Sequence, residues 1–590
     1  MSVEQTTMNQ LITDNIDVWT STIKTRATTG RGSSKKRELY GVKKLRELIL
    51  ELAVRGKLVP QNPSDEPASV LLERIAAEKA QLVKDKVIPR SKVLPELLDS
   101  DIPIDLPTGW SIVRLGNLTS KLGSGSTPRG GKAAYVEEGV PFLRSQNIRN
   151  EGIKLDDIAY IPMETHQKME KTKVLPNDVL LNITGASLGR STIFPESLYE
   201  ANVSQHVTII RLIESKMSSF IHLGILSPMV QKLVWGRQVG MAIEGLSKKV
   251  LEMFEFPVPP LEEQHRIVAK VDELMTLCDQ LEQQTEASIE AHQVLVITVL
   301  DTLTNSTDAE ELMQNWARIS EHFDTLFTTE ASIDQLKQTI LQLAVMGKLV
   351  PQDPNDEPAA KLLERIAEEK AQLIKDKKIK KQKALPPITD DEKPFELPRG
   401  WEWCRFGDVA ISRLGKMLDK SKNLGNPLPY LRNTNVQWHR FDLEDIKLMK
   451  IEDAEKEEFL VLPGDLLICE GGEPGRCAIW KDDSTEMYFQ KALHRARTLG
   501  GCLPQYLQLC LTVDAANGSL EKYFTGATIK HFVGAKLNLY SHPLPPLEEQ
   551  LRIICKVDCL INTCVQLKQR LRDSQQTQLQ LTDAIVEQAL

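Results

Sequence analysis

The sequence lacks long hydrophobic runs and is poor in aromatic residues. No apolar stretch approaches the roughly 20 residues that a membrane-spanning helix requires, and only 5% of the residues are aromatic. With 41% apolar and 26% charged residues, the composition is typical of a soluble globular protein without a membrane partner. The opening residues, MSVEQTTMNQLITDN, have neither a basic start nor an apolar core, so no signal peptide is predicted.

Paired cysteines are also missing. The nine cysteines are scattered without a Cys-x-x-Cys pair, and their number is odd. This usage is typical of a reducing cytoplasm, where thiols serve as small apolar residues. Neither a disulfide framework nor a cysteine-ligated metal site is expected.

Complete catalytic motifs are absent from the sequence. Pro128 stands where the segment Gly123-Ser124-Gly125 would need the third glycine of a dinucleotide fingerprint. Gly131-Lys132 lacks the upstream glycine of a phosphate loop. The segment NPLPY at 426–430 has one leucine more than the Asn-Pro-Pro-Tyr tetrad of amino-methyltransferases. We therefore predict no catalytic residue and no metal site in this chain.

The sequence does contain a long internal repeat. Its longest copy pair spans 35 residues without a gap and differs at seven positions, and the offset between the copies is 291 residues. This period is far longer than the roughly 20–50 residues of a solenoid unit. A duplicated two-part unit with pseudo-twofold symmetry is therefore predicted. The repeated pairs are 52–86 with 343–377, 106–110 with 397–401 (LPTGW and LPRGW), and 259–264 with 545–550 (PPLEEQ in both).

Helical periodicity and β-type runs alternate along the chain, which predicts an α+β fold with two globular α+β domains. Short β-type runs such as Val140–Leu143, separated by Gly, Pro and Asn turns, mark the globular parts. The predicted segments are a loosely ordered N-terminal arm (1–41), a helical repeat region (42–105), the first globular domain (106–260), a central helical region (261–396), the second globular domain (397–546) and a C-terminal coiled-coil helix (547–590).

Two long helices carry apolar residues at coiled-coil spacing. Steps of four and three residues form an a/d seam in each helix, and a cysteine occupies one position in each seam. We predict that the helices pack as an antiparallel pair, place the globular domains at opposite ends and dock partner subunits. The seam residues are Ile267, Val271, Leu274, Cys278 and Leu281, and Ile553, Val557, Leu560, Cys564 and Leu567.

The charge distribution is compatible with nucleic-acid binding despite a net charge of −8. Residues 106–260 contain 17 Lys and Arg against 14 Asp and Glu, so the first globular domain carries +3. Its glycine-rich segment KLGSGSTPRGGK combines small residues, which let backbone amides approach phosphates, with cations. An ordinary solvated loop is an equally good interpretation. The candidate DNA contacts here are Lys121, Ser126, Thr127, Arg129 and Lys132.

Matching polar segments follow a β-type run in each globular domain. Arg pairs with guanine, and Asn or Gln with adenine, through two hydrogen bonds each. Capping of the strand end is an equally good interpretation of both segments. A polar turn further along each domain and two more cations complete the candidate set, whereas His206 and His494 are interpreted as structural. The candidates are Arg144, Gln146, Asn147, Asn182, Arg190, Lys416, Arg432, Asn433, Asn435, Arg476 and Lys530.

The chain resembles the specificity subunit of type I restriction–modification enzymes over nearly its full length. The markers are Leu-Pro-x-Gly-Trp at the start of each globular domain and Pro-x-Pro-Pro-Leu-Glu-Glu-Gln at its end. The repeated LAVxGKLVPQ and the long N-terminal region are similar to the type IB (EcoAI-like) branch. The second domain departs from the pattern, because RLGKM at 413–417 stands where Gly-x-Thr-Pro is expected.

The resemblance implies a DNA-recognition subunit of a bacterial, cytoplasmic phage-defence complex without activity of its own. Each globular domain would be a target recognition domain that reads one half of a bipartite, asymmetric site in double-stranded DNA. The helices would set the gap between the halves and dock two modification (methyltransferase) subunits, which two restriction (translocase/endonuclease) subunits could join. S-adenosylmethionine, ATP and Mg²⁺ are then expected on the partner subunits, and no cofactor in this chain.

Two other classes of function stay open at this stage. A stand-alone DNA methyltransferase or nuclease would need the cofactor or metal motifs that the sequence lacks. A protein scaffold would join the same partners without reading bases, and Arg144→Ala and Arg432→Ala would leave its sequence preference unchanged.

Overall fold

The computed structural model describes residues 8–26, 36–90, 92–97, 105–238, 245–307, 309–381, 383–419 and 423–590. The chain divides into two compact units, which are described separately. Unit 1 comprises Met1–Ser288 with Ser574–Leu590, and unit 2 comprises Ile289–Asp573. Two long helices, Leu261–Thr304 and Leu547–Ala589, contribute residues to both units.

Unit 1 contains short helices and strands from the N-terminal region and the first globular domain. Its helices are Met8–Asp14, Ile16–Ser21, Tyr40–Val54, Ala68–Lys84, Leu115–Leu118, Met163–Lys168, Ser218–Leu226, Pro228–Gly236 and Lys248–Glu252. Its strands are Ile23–Arg26, Lys36–Leu39, Ser111–Arg114, Thr119–Ser124, Val140–Leu143, Ile148–Arg149, Gly152–Ile153, Ala159–Ile161, Lys173–Val174, Val179–Asn182, Ser191–Ile193, Ala201–Val203, Val207–Leu212 and Glu255–Val258.

Unit 2 repeats this composition around the second globular domain. Its helices are Ala309–Glu321, Phe323–Leu326, Glu330–Val345, Ala359–Lys375, Phe406–Val409, Lys456–Phe459, Pro504–Ala516 and Gly534–Leu539. Its strands are Glu402–Arg405, Ala410–Leu414, Asn426–Leu431, Val436–Gln437, Arg440–Phe441, Lys447–Ile451, Leu460–Val461, Leu466–Cys469, Cys477–Ile479, Met487–Phe489, Leu493–Thr498 and Ser541–Leu544.

Each globular domain is built on two four-stranded sheets with one shared topology. In the first domain the strand orders are Ser191–Ile193, Val179–Asn182, Val207–Leu212, Thr119–Ser124 and Ala159–Ile161, Val140–Leu143, Ala201–Val203, Lys173–Val174. In the second they are Cys477–Ile479, Leu466–Cys469, Leu493–Thr498, Ala410–Leu414 and Lys447–Ile451, Asn426–Leu431, Met487–Phe489, Leu460–Val461. Each domain has one parallel pair at the same place in the second sheet. The predicted α+β fold with an internal repeat is confirmed.

The inner strands follow from continuous apolar runs. All four residues of Val179–Asn182 and of Leu466–Cys469 are buried, and a strand covered on both faces reads as such a run rather than as an alternation. Ser227 and Pro228 separate two helices, Ser218–Leu226 and Pro228–Gly236. The Ser227 hydroxyl caps the second of these.

The three repeated marker segments meet at one junction in unit 1. The Trp110 indole donates to the Glu263 carboxylate over 3.1 Å, and Gln61 donates to the same carboxylate over 3.3 Å. Gly56 has a φ of +67°, and a Cβ there would lie 2.4 Å from Pro107. The marker sequences are therefore explained by packing between the repeat helix, the domain entrance and the long helix.

Unit 2 contains the same junction built from the second copies. Trp401 donates to Glu549 over 3.0 Å, and Gln352 donates to it over 3.1 Å. Gly347, with φ +70°, packs against Pro398 as Gly56 packs against Pro107. The internal symmetry thus extends to individual hydrogen bonds.

An acidic residue that precedes the second repeat helix binds an arginine of the long helix. The helix Ala68–Lys84 has no acidic residue in its first turn. Asp65 lies before that turn and pairs with Arg266 of the long helix at 2.7 Å, as Asp356 pairs with Arg552 at 2.6 Å in unit 2. These carboxylates therefore tie the repeat segment to the long helix.

The seam of the central helix lies in the core of unit 1. The seam residues of this helix share one apolar cluster with the helix Tyr40–Val54 and with Ile585, Val586 and Ala589 from the end of the final helix. Burial raises the pKa of Cys278 to about 11, as expected for a packed thiol. The residues of this part of the seam are Ile267, Val271, Leu274, Cys278 and Leu281.

The seam of the final helix contributes to two clusters in unit 2. Ile553 and Val557 lie in the core of the second globular domain. Leu560, Cys564 and Leu567 pack with the end of the central helix and with Glu330–Val345. Both seams are therefore occupied by the chain's own residues, and their role in docking a partner stays a prediction. Among the described residues, no helix is both long enough and apolar enough to cross a bilayer.

The N-terminal region is more ordered than a loose arm where the structure describes it. Trp19 is fully buried, and Thr582 of the final helix donates to Thr22 over 3.0 Å. Tyr40 donates to Asp583 over 2.8 Å. The expectation of a loosely ordered segment is therefore wrong for residues 8–26. The basic stretch 27–35 lies outside the described residues.

The link between the central helix and the second repeat is helical, in agreement with the predicted central helical region. Ala309–Glu321 and Glu330–Val345 occupy most of this segment. Thr329 caps the second of these helices through a reciprocal bond with Ser332. This cap corresponds to Thr-x-x-Ser in the sequence, where Ser332 stands in place of the usual Glu or Gln.

Candidate nucleic-acid interface

The loop after Val140–Leu143 is closed by three of the predicted DNA contacts. Asn147 is only 1% exposed. Its side-chain oxygen accepts from the Arg144 amide over 2.9 Å, and its nitrogen donates to the carbonyls of Lys154 and Asp157. The Arg144 guanidinium donates to the Asp157 carbonyl over 2.8 Å, and Gln146 donates to the Asp157 carboxylate. Here the alternative of a structural cap accounts for Asn147.

The second domain closes its matching loop in the same way. Asn435 accepts from the Arg432 amide over 2.9 Å and donates to the carbonyls of Asp442 and Asp445. The Arg432 guanidinium binds the Asp445 carboxylate at 2.8 Å. The shared Arg-x-x-Asn pattern is therefore a loop framework common to both domains.

A polar turn begins where the buried strand Val179–Asn182 ends. The Asn182 amide donates to the Arg190 carbonyl over 2.8 Å, and its side-chain nitrogen donates to the Ser145 carbonyl over 2.8 Å. The side-chain oxygen of Asn182 is buried and has no partner among the described residues. Asn182 thus joins the loop around Ser145 to the turn that ends at Arg190.

These two loops enclose an open cleft of about 420 Å³ in the first domain. Two of the predicted contacts, Gln146 and Arg190, line it, whereas Arg149, Thr184 and His206 were not predicted as contacts. Within the described part of the chain, no hydrogen bond or ion pair is formed by the guanidinium of Arg149 or of Arg190. The lining residues are Ser145, Gln146, Arg149, Thr184, Gly185, Ala186, Ser187, Arg190 and His206.

Four linked polar side chains form a wall, and two of them, Thr184 and His206, line the cleft. Thr127 donates to the side-chain oxygen of Gln205. The Gln205 amide lies 3.2 Å from His206 Nε2, and His206 Nδ1 lies 2.7 Å from the Thr184 hydroxyl oxygen. Since an amide nitrogen only donates, Nε2 accepts and Nδ1 carries the proton. The glycine-rich loop is therefore linked to the turn 183–190 through His206.

The rest of the glycine-rich loop is mostly exposed. Ser126, Thr127 and Arg129 face solvent, and the Lys132 side chain lies outside the described residues. A Cβ at Gly125 would lie 1.9 Å from the Val203 carbonyl oxygen, so the backbone approach here requires glycine. The other end differs, because Lys121 is half-buried and donates to the Lys173 carbonyl over 2.9 Å. Burial lowers the pKa of Lys121 to about 8.

In the second domain, Gly415 and Lys416 occupy the places of Gly125 and Ser126. The Lys416 amide donates to the Phe489 carbonyl over 3.1 Å, as Ser126 donates to Val203. The Lys416 ammonium is buried against Glu452, at 2.6 Å, and Glu455. Burial alone would lower the pKa of Lys416, but these carboxylates raise it.

The polar turn of the second domain is acidic and internally paired. Arg476 binds the Glu473 carboxylate at 2.8 Å and donates to the Asn433 carbonyl over 2.8 Å. The Trp438 indole donates to Glu473 over 2.7 Å. The Asn433 side chain lies 3.5 Å from the Gly471 carbonyl. Lys530, the last predicted contact, is exposed and pairs with Glu521 at 2.7 Å.

The two histidines differ in environment. His494 is 1% exposed. Its Nε2 donates to the Phe532 carbonyl over 2.8 Å, because a carbonyl oxygen only accepts. Burial lowers the pKa of His494, and its burial and its hydrogen bond agree with the structural role predicted for it. His206 instead lines the cleft. The one sequence signal for His206 is the polar pair Gln205-His206 directly before the strand Val207–Leu212. No known motif contains this pair.

The family comparison follows these two domains closely. The profile described as "Type I restriction modification DNA specificity domain" matches residues 107–291 and 398–574. The chain is 42% identical to the EcoAI specificity subunit of Escherichia coli, with 100% of both chains covered. It belongs to the type I specificity subunits.

A second relative of this specificity subunit fits the same placement. The EcoEI specificity subunit of Escherichia coli is 41% identical and covers 99% of this chain and 100% of its own. The predicted EcoAI-like branch is confirmed by these identities. The crystal structure of the HsdS subunit from Thermoanaerobacter tengcongensis is 19% identical, covers 83% of this chain and 98% of its own, and gives a TM-score of 0.44.

Proposed function

We propose that this chain is the DNA sequence-specificity subunit of a type I restriction–modification complex. Its two globular domains each read one half of a bipartite, asymmetric site. The observation that carries the proposal is that both domains share one strand order and one loop framework, while the residues of the loops differ. One scaffold with two unlike reading loops suits a site whose halves differ.

The chain acts without chemistry of its own in this proposal. Methyl transfer, which requires S-adenosylmethionine, and cleavage and translocation, which require ATP and Mg²⁺, belong to partner subunits. The target adenine is flipped out of the duplex to reach the methyltransferase site. The purified chain alone is then expected to transfer no methyl group to DNA, and measurable transfer would contradict this assignment.

Two modification subunits, joined by two restriction subunits, are the proposed partners, and the complex works in the cytoplasm. The nearly identical helical repeats suit two copies of one partner. The central helix of 44 residues is about 66 Å long at 1.5 Å per residue. This is about two turns of DNA at roughly 34 Å each, so helices of this length are suited to setting a fixed gap between half-sites.

The rival function is a scaffold that assembles the partners without reading bases. The arginines that bind loop acids, Arg144 and Arg432, would serve a scaffold equally well. The two functions differ in one respect. A scaffold has no base preference that depends on the residues of the cleft or of the polar turns.

The test is methylation of a random DNA library by this chain co-expressed with its modification subunit. Methylated sites with two short fixed blocks and one constant gap are the expected result, and they give the gap directly. Methylation that depends on one block only would mean that one domain is not a reader. An intact complex that methylates without base preference would favour the scaffold.

A further inference from the structure

The cleft of the first domain contains two guanidinium groups without partners in the described structure. Arg149 lies at the end of Ile148–Arg149 and Arg190 at the end of the polar turn, and both line the cleft. An unpaired guanidinium presents five N–H donors in a planar fork. Arg144 differs from them, because it is already bound to Asp157.

The second domain has the same backbone at this place without these groups. Its backbone bonds pair Cys469 with Arg476 where the first domain pairs Asn182 with Arg190. Arg476, the counterpart of Arg190, is bound to Glu473. The position of Arg149 in the short hairpin is occupied by Gln437, which donates to the Thr434 carbonyl over 2.9 Å.

The wall of four polar side chains is also specific to the first domain. Backbone pairing aligns Val207 with Leu493 and Ser126 with Lys416. The side chains of the wall are thereby replaced one by one in the second domain. Thr127, Thr184, Gln205 and His206 correspond to Met417, Gly471, Lys491 and Ala492.

We propose that this cleft is the base-reading site of the first domain, with Arg149 and Arg190 as the specificity-determining residues. The inference rests on the proposed function and adds which residues read and what they read. The cleft presents donors from two guanidinium groups and from the Thr184 hydroxyl, whose oxygen already accepts from His206. A donor-rich surface fits a base edge rich in acceptors.

Guanine is the base with that edge. In the major groove it presents two acceptors, N7 and O6, to which arginine donates two hydrogen bonds. The first half-site is therefore expected to contain a guanine that the cleft reads. The second half-site is read by a different set, because its turn presents the Glu473 carboxylate rather than a free guanidinium.

The experiment uses the complete chain co-expressed with its modification subunit and the random methylation library. Arg149→Gln and Arg190→Gln are compared with wild type, separately and together. Each single variant that removes a bidentate contact is expected to lower the preference for guanine in the first block by about tenfold or more. The second block and the gap are expected to stay unchanged.

Two controls separate base reading from a general loss of charge or of folding. Lys171→Gln removes one positive charge from an exposed residue of the same domain that does not line the cleft. Its expected effect is a uniform, small loss of methylation without a change in base preference. His206→Ala, which places the second domain's residue in the wall, is expected to weaken base preference in the first block. The temperature at which the chain unfolds is expected to stay unchanged.

The outcomes distinguish this inference from the function on which it rests. If wild type selects two blocks and the double arginine variant keeps its guanine preference, the cleft is not the reader although the proposed function stands. If the variant loses preference at the second block, the cleft assignment is also overturned. If wild type itself selects no sequence, the proposed function fails first.

Discussion

The two globular domains have the same framework but differ in the residues that line their loops. Both hold the loop after the strand with a buried asparagine, Asn147 or Asn435, and both place an arginine on a loop acid. The turn of one domain opens onto a cleft with free guanidinium groups, whereas the other closes on a Glu473–Arg476 pair. Residues that recur in both domains therefore report on folding, and those that differ are the better candidates for reading bases.

The largest expected effect tests whether the two seams are equivalent. Ile267 and Ile553 are each 0% exposed. Ile267→Ala and Ile553→Ala should each lower the free energy of unfolding by about 2–5 kcal/mol, since both remove a buried side chain and leave a cavity. Urea denaturation of the two variants measures this loss. A large loss for one and none for the other would break the equivalence.

The junction bond gives the next largest effect. Trp110→Phe and Trp401→Phe remove an indole donor from a buried carboxylate, Glu263 or Glu549. A hydrogen bond to a charged group contributes about 1.5–3 kcal/mol. Both variants should lose stability by similar amounts in thermal unfolding, with no change in the methylated sequence. A changed sequence would mean that the junction takes part in reading.

The last strands of the two domains, Glu255–Val258 and Ser541–Leu544, differ in that only the second contains a histidine. This difference should make the stability of the second domain depend on pH. His542 is fully buried where the first domain has Phe256, and burial lowers the pKa of His542 to about 4. The unfolded chain binds the proton near pH 6.5, so this lowered pKa removes stability as the pH falls from about 6.5 towards 4.

At pH 5 this loss amounts to about 2 kcal/mol relative to neutral pH. His542→Phe should remove that part of the acid sensitivity, which urea denaturation at pH 7 and pH 5 measures. Phe256→Tyr in the corresponding strand of the first domain adds no group that titrates in this range and serves as the control. Equal acid sensitivity of wild type and His542→Phe would contradict the prediction.

The smallest effect is expected from the loop arginines. Arg144→Ala and Arg432→Ala each break an exposed ion pair, which contributes less than about 1 kcal/mol to stability. Each variant should weaken selection of the block that its own domain reads, without changing the preferred base in that block. A changed base in library selection would show that the arginine reads DNA rather than closing the loop.

The sequence predicted the parts of the fold that repeat or that follow a strict period. The copy at 343–377 and the seam spacing gave the helical regions, and continuous apolar runs gave strands such as Val179–Asn182. The N-terminal helices were missed because they are short and have no apolar period, although Trp19 is buried. Their order depends on contacts with the final helix, more than 500 residues away in sequence.

The candidate site was predicted only in part, for a related reason. Arg-x-x-Asn indicated the right loops, but the same residue types serve as base readers and as loop caps, and only the bonds of Asn147 and Asn435 decide between them. Lys121 and Lys416 were attractive as cations yet are directed into the protein. Arg149 and His206 required the fold, because the cleft joins segments that lie about 60 residues apart in sequence.

The most direct test of the central claim is a chain in which the first domain is replaced by the second. Residues 398–544 are inserted for 107–258, which keeps a tryptophan, as Trp401, opposite Glu263 at the junction. With the modification subunit and the random library, the account predicts methylated sites built from two copies of the second block. Persistence of the original first block, or a folded complex without any base preference, would contradict it.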